Sequence, residues 1–183
     1  PYFEGPGEEG VRWHYEQIAA AIKTPIMAYN IPVYTQFDIT PEIFARFSEI
    51  DGVDYIKDST ADPSRIEKLV DQGSKVFCGC DFLNFFALVN GATGLFTGSG
   101  NVAPAQIRQL YDLVKSSEYG KAEKVWKKLQ PISRLLWTLP FNPVAKAGSD
   151  RTGRKVGLCR MPVPPLKEHE LKLVDEAVAA LSA

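Results

Sequence analysis

The amino-acid sequence predicts an α/β fold with a parallel sheet, and three observations lead to this prediction. Short apolar runs rich in β-branched residues alternate with segments whose apolar residues recur every three or four positions. The strand-like runs return at intervals of about 20–28 residues. The connections between segments are short, which is typical of strands joined by right-handed helical crossovers.

The first half of the chain is predicted to alternate helix and strand four times. The helices are predicted over residues 8–23, 41–49, 63–72 and 82–90, and the strands over residues 26–30, 53–57, 75–79 and 94–98. Val11, Tyr15, Ile18 and Ile22 give the first helix its apolar spacing. Thr40 before Pro41 is a helix N-cap followed by proline at the first helical position.

From residue 104 onward the pattern is wholly helical. Helices are predicted over residues 104–116, 120–138, 143–150 and 168–181, with an irregular proline-rich segment over residues 154–165. Four strands are too few to close a (β/α)8 barrel, and an open four-stranded sheet also fits the count. However, the chain starts without methionine, in residues typical of a loop entered from upstream.

The favoured interpretation is therefore the C-terminal half of a (β/α)8 barrel plus a C-terminal helical extension. Residues 1–103 would form the second half of the barrel, with the N-terminal half expected upstream. Residues 104–183 would form the last barrel helix and the helical region.

Composition narrows the possible partners. The chain has 183 residues, is 45% hydrophobic and 23% charged, and carries a formal net charge of −1, which predicts one domain with a substantial core. The near-zero charge argues against nucleic acid or an anionic membrane as a partner. No apolar run approaches the roughly 20 residues of a membrane-spanning helix. Three cysteines, an odd number, argue against a disulfide framework and fit a reducing cytoplasm.

Two residues carry the candidate chemistry. Tyr29 and Lys57 fall at the ends of consecutive predicted strands. In a parallel barrel the carboxyl ends of the strands converge on the active site. A partly desolvated amine can attack a carbonyl and form a Schiff base, and a nearby phenol can shuttle protons. Pattern alone favours a plainer explanation, in which Lys57 extends to solvent and Tyr29 is an amphipathic strand end.

A resemblance to a known family reverses that preference. Its motifs occur in order along the chain: Tyr29-Asn30-Ile31-Pro32, Tyr55-Ile56-Lys57-Asp58-Ser59-Thr60, Phe77-Cys78-Gly79-Cys80-Asp81, Gly94-Leu95-Phe96-Thr97-Gly98-Ser99-Gly100-Asn101-Val102-Ala103-Pro104, Asn142-Pro143 and Arg160-Met161-Pro162. Together they resemble the pyruvate-dependent class I aldolase family of dihydrodipicolinate synthase and N-acetylneuraminate lyase. The spacing of the tyrosine and the lysine is the most specific part of the resemblance.

The resemblance implies a TIM barrel, assembled as a homotetramer in the full-length protein, that acts on a small 2-oxo acid without a cofactor. Lys57 matches the Schiff-base lysine and Tyr29 the proton-relay tyrosine. Gly79 and Phe96 match strand ends that line the pocket, expected to act through backbone groups. The chain would begin at the end of the fourth strand, downstream of the residues that bind the pyruvate carboxylate.

Departures from the family pattern bear on the substrate. Tyr34 stands where the dihydrodipicolinate synthase branch has a carboxylate-binding arginine, and a tyrosine cannot replace an arginine fork. Phe3 replaces a second relay tyrosine, and Gln36 a glycine. Phe82 replaces the acidic residue of the neuraminate lyase branch. These departures disfavour lysine synthesis and sialic acid, and they favour a 2-keto-3-deoxy sugar acid.

Other residues leave alternatives open. Asp81 could contact a substrate hydroxyl or cap a helix. The Gly98-Ser99-Gly100 loop could bind phosphate, as in a phosphosugar-binding barrel, although a tight turn is favoured. Cys78 and Cys80 are expected to be buried thiols rather than metal ligands. A non-catalytic half-barrel fragment is the main alternative to an enzyme, because four strands alone leave open sheet edges.

Overall fold

The protein was analysed as a computed structural model that describes residues 4–182. The chain divides into two compact units, one ending at Phe96 and the other beginning at Thr97. The first unit alternates helices with four parallel strands, and the second is helical. The predicted α/β class with a parallel sheet is therefore confirmed.

The first unit is built on a four-stranded sheet in the order β1-β2-β3-β4, with every neighbouring pair parallel. Its strands are β1 (Ile26–Asn30), β2 (Val53–Asp58), β3 (Lys75–Cys78) and β4 (Gly94–Leu95). Its helices are α1 (Gly7–Ala21), α2 (Pro32–Thr35), α3 (Pro41–Phe47), α4 (Pro63–Asp71) and α5 (Asn84–Val89). A short 3-10 helix, Asp81–Leu83, precedes α5.

Local sequence signals fix the helix ends. The Thr40 hydroxyl accepts the Ile43 N–H at 3.3 Å, which satisfies one of the free donors at the start of α3. Asp62 does the same for Ser64 at 2.9 Å at the start of α4. Gly73, beyond the end of α4, has φ +86°, a left-handed conformation that glycine adopts without steric cost.

The two faces of the sheet have different environments. Side chains alternate along each strand, so every second residue points to the same face. One face is dry: Ala28, Ile56 and Val76 are fully buried in the apolar core of the unit. The opposite face carries Tyr29 and Lys57, which are exposed and half-buried respectively. The sheet therefore buries one face in the apolar core and leaves the other partly uncovered.

A buried polar network joins the carboxyl ends of β1 and β2. The side-chain amide of Asn30 donates to Asp58 at 2.9 Å and to Asp38 at 3.0 Å. The side-chain carbonyl oxygen of Asn30 accepts the Ile39 N–H at 2.9 Å. Arg65 closes the network with a bidentate pair to Asp38 at 2.7 and 2.8 Å. Asn30 and Asp58 are almost completely buried, so each of these bonds replaces a lost contact with water.

The second unit packs its helices around a core of its own. The helices are α6 (Ser99–Val102), α7 (Pro104–Lys115), α8 (Tyr119–Thr138), α9 (Phe141–Arg151) and α10 (Glu168–Ala179). Leu110, Leu129, Ile132, Val144 and Val174 are fully buried. The backbone of α9 approaches closely at Gly148, where a Cβ would lie 2.8 Å from the Val102 side chain. None of the described helices combines the length and apolar character that a membrane-crossing segment needs.

The predicted boundaries hold approximately for the longer elements. The differences concern the shorter elements and the end of the first helix. The helix expected over residues 82–90 begins one residue earlier as the 3-10 helix, and the strand expected over residues 94–98 is only Gly94–Leu95. The two short helices α2 and α6 were not predicted. Ile22 was expected on the apolar face of the first helix, which was wrong. It follows the end of α1 and is 45% exposed.

The Asn30 network yields a stability prediction. We expect Asn30→Ala to lower the free energy of unfolding by about 2–4 kcal/mol, because it removes one of the donors to the buried Asp58 carboxylate and the acceptor of the Ile39 N–H. Urea unfolding of the two proteins measures this. Asn90→Ala, at an exposed position of the same unit, should stay within about 0.5 kcal/mol of the wild type. Equal effects of the two substitutions would contradict the role of the network.

Candidate active site

Tyr29 and Lys57 lie side by side at the carboxyl ends of β1 and β2. They are register partners in the parallel ladder, so their side chains leave the same face of the sheet at the same level. The Lys57 Nζ lies 3.9 Å from the centroid of the Tyr29 ring. The structure thus brings the two predicted catalytic residues into direct contact.

Phe96 forms a second aromatic wall beside the amine. The centroid of its ring lies 4.7 Å from the Lys57 Nζ. The ladder continues past the strand ends to place it, since the Phe96 N–H donates to Cys78 O at 2.9 Å. The ion pairs found among residues 4–182 do not include Lys57. The surroundings of this half-buried amine are therefore aromatic rather than acidic.

Gly79 leaves a space that the amine side chain needs. Its N–H donates to Asp58 O at 2.8 Å, which continues the β2–β3 ladder. A Cβ added at Gly79 would collide with Ser59 Oγ and lie 2.7 Å from Lys57 Cε. Gly79, a predicted site residue, thus leaves room for the Lys57 side chain because it has no side chain of its own.

Ser59 is a polar residue of the site that the sequence reasoning did not select. Its side chain is 7% exposed, and its hydroxyl has no hydrogen-bond partner among residues 4–182. The hydroxyl borders the same space beside Gly79 as Lys57 Cε. Its position two residues after the lysine was visible in the sequence, but its lack of a partner is a property of the folded chain.

Tyr34 and Asp81, the other two predicted site residues, differ in their exposure. Tyr34, on α2, is 62% exposed and lines a cavity of about 580 Å³ next to Tyr29, with His14 and Phe37 among the other lining residues. Asp81 is 5% exposed and is the first residue of the 3-10 helix, for which Cys80 is the N-cap position. Tyr29 is therefore the residue common to the amine site and the cavity. Phe3 lies outside the described residues.

The two cysteines at the end of β3 are buried. Cys78 and Cys80 are buried free thiols, and burial raises the pKa of Cys78 to about 12 and that of Cys80 to about 11. A metal ligand must be a thiolate, which burial disfavours here. Among residues 4–182 there is no group of three or more histidine, cysteine or acidic side chains that could hold a metal ion.

The glycine-rich segment after β4 has a packing explanation. Gly98 is the N-cap of the four-residue helix α6. A Cβ on Gly98 would lie 2.6 Å from ring carbons of Phe141. This contact requires a residue without a side chain at position 98.

The fold and site define an α/β protein with a lysine and a tyrosine paired at the carboxyl ends of neighbouring parallel strands. Residues 1–181 match the model of the dihydrodipicolinate synthetase family. The chain belongs to this family.

Curated relatives agree with this assignment. The chain is 34% identical to a 4-hydroxy-tetrahydrodipicolinate synthase from Bartonella tribocorum, an alignment that covers 98% of the chain and 62% of the relative. It is 29% identical to the protein of the same name from Archaeoglobus fulgidus, over 99% of the chain and 64% of the relative. The chain thus spans somewhat less than two thirds of the length of these relatives.

Solved structures share the fold. A dihydrodipicolinate synthase from Thermotoga maritima superposes with a TM-score of 0.92 and 27% identity, over 100% of this chain and 64% of that one. The enzyme from Acinetobacter baumannii, solved in complex with pyruvate, gives a TM-score of 0.91 and 26% identity with the same coverage. The predicted fold class, the C-terminal half of a TIM barrel with a helical extension, is confirmed by these matches.

Gly79 yields a steric prediction. We expect Gly79→Ala to lower the free energy of unfolding by about 1–3 kcal/mol, because the new methyl group has no space beside Ser59 Oγ and Lys57 Cε. Thermal and urea unfolding measure the loss.

Two further variants isolate the cause. Gly120→Ala should not destabilise, because nothing lies within 4 Å of a Cβ at that position. The double variant Gly79→Ala/Ser59→Ala should recover part of the stability, because it removes the nearest obstacle. A double variant as unstable as Gly79→Ala alone would argue against the steric explanation.

Proposed function

We propose that the protein is a Schiff-base-forming lyase, an aldolase or dehydratase, that acts on pyruvate or a 2-keto-3-deoxy sugar acid. Lys57 is the amine that forms the imine, and Tyr29 relays protons. The observation that carries the proposal is the contact between the Lys57 amine and the Tyr29 ring, 3.9 Å from Nζ to centroid, on neighbouring parallel strands.

The chemistry follows from the two functional groups. The neutral amine of Lys57 attacks the ketone carbon of a 2-oxo acid, and loss of water gives a protonated imine. The imine withdraws electrons from the adjacent carbon, so a bond at that carbon can break or form. Each step moves a proton, and the phenol of Tyr29 is a suitable donor and acceptor. No cofactor is required.

The remaining site residues are proposed to bind the substrate. Gly79 and Phe96 border Lys57 directly, and Asp81 is assigned to a substrate hydroxyl. Tyr34 is assigned to the distal end of the substrate, which is supported by the cavity that it shares with Tyr29. Its phenol suits hydroxyl groups better than a second carboxylate.

The alternative is 4-hydroxy-tetrahydrodipicolinate synthase proper, which the names of the relatives favour. Against it stands the lack of an arginine at position 34. Arg65, on α4, is already committed to the bidentate pair with Asp38. Pyruvate release from a panel of 2-keto-3-deoxy sugar acids supports the first function, whereas formation of 4-hydroxy-tetrahydrodipicolinate without such release supports the alternative.

Assembly and location remain predictions. A homotetramer of the full-length protein in the cytoplasm follows from the family resemblance and the cysteine usage. One similar solved structure is a monomeric dihydrodipicolinate synthase variant. The intact mass of the purified protein distinguishes the enzyme from a non-catalytic half-barrel fragment.

Imine formation can be tested directly. We expect borohydride reduction in the presence of pyruvate to add the mass of a reduced pyruvate adduct at Lys57 in the complete protein that contains this chain. Peptide mass spectrometry locates the adduct. Lys57→Ala should abolish it, while Lys75→Ala should not, although Lys75 also lies over an aromatic ring, 4.9 Å from the Tyr55 centroid. An adduct at a different lysine would refute the assignment.

The role of the Tyr29 hydroxyl can be tested separately from that of the Tyr29 ring. Tyr29→Phe keeps the ring beside the amine and removes only the hydroxyl, so turnover should fall about 100- to 10,000-fold while pyruvate can still be trapped on Lys57. Steady-state pyruvate release and borohydride trapping measure the two properties. Tyr55→Phe, on the neighbouring strand, is the matched control and should change turnover little. Full turnover in Tyr29→Phe would exclude the proton relay.

A further inference from the structure

The Lys57 amine contacts two aromatic rings of different chemistry. The Tyr29 ring carries a hydroxyl that can move protons, whereas the Phe96 ring carries none. Both centroids, at 3.9 and 4.7 Å from Nζ, are within the roughly 6 Å range in which the negative face of an aromatic ring attracts a cation. The side chain of Phe96 can therefore act on charge at this nitrogen only through the face of its ring.

Core packing does not account for Phe96. Its side chain is 61% exposed, and it does not belong to the apolar core of the first unit. Its backbone position is fixed all the same, because its N–H is bonded to Cys78 O at 2.9 Å at the end of the β3–β4 ladder. An exposed ring on a fixed backbone beside the reactive nitrogen points to a contribution to the reaction rather than to folding.

We propose that Phe96 is a catalytic residue that stabilises the positive charge of the imine on Lys57. This inference rests on the proposed function. It also changes the expectation for Phe96, for which the family resemblance implied a role of backbone groups, because the aromatic side chain is the part that contacts the amine. An aliphatic side chain of similar size would fill the same space without attracting the cation.

The reaction step shows where the charge arises. The lone pair of the neutral amine forms the C–N bond with the ketone carbon as the C=O π pair moves to oxygen; the nitrogen then loses one proton and the oxygen gains one, which gives a neutral carbinolamine. The nitrogen lone pair then forms the C=N bond as the C–O bond breaks, and the hydroxide leaves as water with a further proton. The nitrogen keeps one proton and becomes cationic. A ring face held beside that nitrogen lowers the free energy of the imine relative to the neutral amine and free substrate.

The absence of a paired carboxylate makes the ring contribution significant. The ion pairs found among the described residues leave Lys57 out. A carboxylate would bind the charged amine tightly and hold it in a geometry set by hydrogen bonds. Ring faces stabilise charge without accepting a strong hydrogen bond, so the N–H groups of the nitrogen remain available to the substrate and to Tyr29.

Fluorination of Phe96 provides the test. Fluorine atoms withdraw electron density from the ring face with little change in shape. We would replace Phe96 in the complete protein with mono-, di- and trifluorinated phenylalanine, and measure the pyruvate concentration that gives half-maximal borohydride trapping at Lys57. We expect this concentration to rise stepwise with each fluorine, by about 3- to 30-fold in total. Phe96→Leu should match the most fluorinated ring.

The controls separate the possible results. The same fluorinated series at Phe86, another exposed phenylalanine of this unit, should not change trapping. Thermal unfolding should stay constant along the Phe96 series. A wild-type protein that traps pyruvate on Lys57 while the Phe96 series is flat would overturn this inference and leave the proposed function intact. A wild-type protein that traps nothing would overturn both.

Discussion

The hydrogen bond between the side chains of Asn30 and Asp58 is the constraint on which the site depends. Each residue directly follows one of the two proposed catalytic residues, Asn30 after Tyr29 and Asp58 after Lys57. The 2.9 Å bond joins the carboxyl ends of β1 and β2 on the dry face of the sheet. Because side chains alternate between faces, a bond that locks one face also fixes the level of the opposite face. The tyrosine ring and the amine meet as a consequence.

The polar network is stable because it is complete. Asp58 accepts from Asn30 and from the backbone and hydroxyl of Thr60, at 3.1 and 2.6 Å. Asp38 holds the other end through Arg65. A buried carboxylate with several donors is tolerated in an apolar core, whereas one that loses a donor is costly. The same bonds that stabilise the strand ends therefore leave little freedom for the residues beside them.

The opposite face of the sheet, which carries Tyr29 and Lys57, differs from the dry face because its residues are partly uncovered. Gly79 provides space, Phe96 and Tyr29 provide ring faces, and Ser59 provides a hydroxyl without a partner. None of these features favours folding by itself. They share a location around one amine, and this concentration of unsatisfied or uncovered groups is typical of a functional site rather than of a stabilising contact.

The sequence allowed the strands, the longer helices and the Tyr29–Lys57 pair to be predicted, because each depends on local periodicity or on spacing along the chain. The N-cap at Thr40 was predictable for the same reason. The Asn30–Asp58 bond and the unpartnered Ser59 hydroxyl were not, because they depend on which residues meet across strands. The ring of Phe96 was missed because a motif gives its position and not the direction of its side chain. The short helices α2 and α6 lack the periodicity that longer elements provide.

A crystal structure of the complete protein after borohydride reduction with pyruvate tests the roles of Lys57 and its two aromatic neighbours most directly. We expect electron density continuous from Lys57 Nζ into a three-carbon adduct. The rings of Tyr29 and Phe96 should lie on either side of that nitrogen, and the Asn30–Asp58 bond should be intact. An adduct on another lysine with Lys57 unmodified would contradict this expectation. An adduct on Lys57 with both rings turned away would also contradict it.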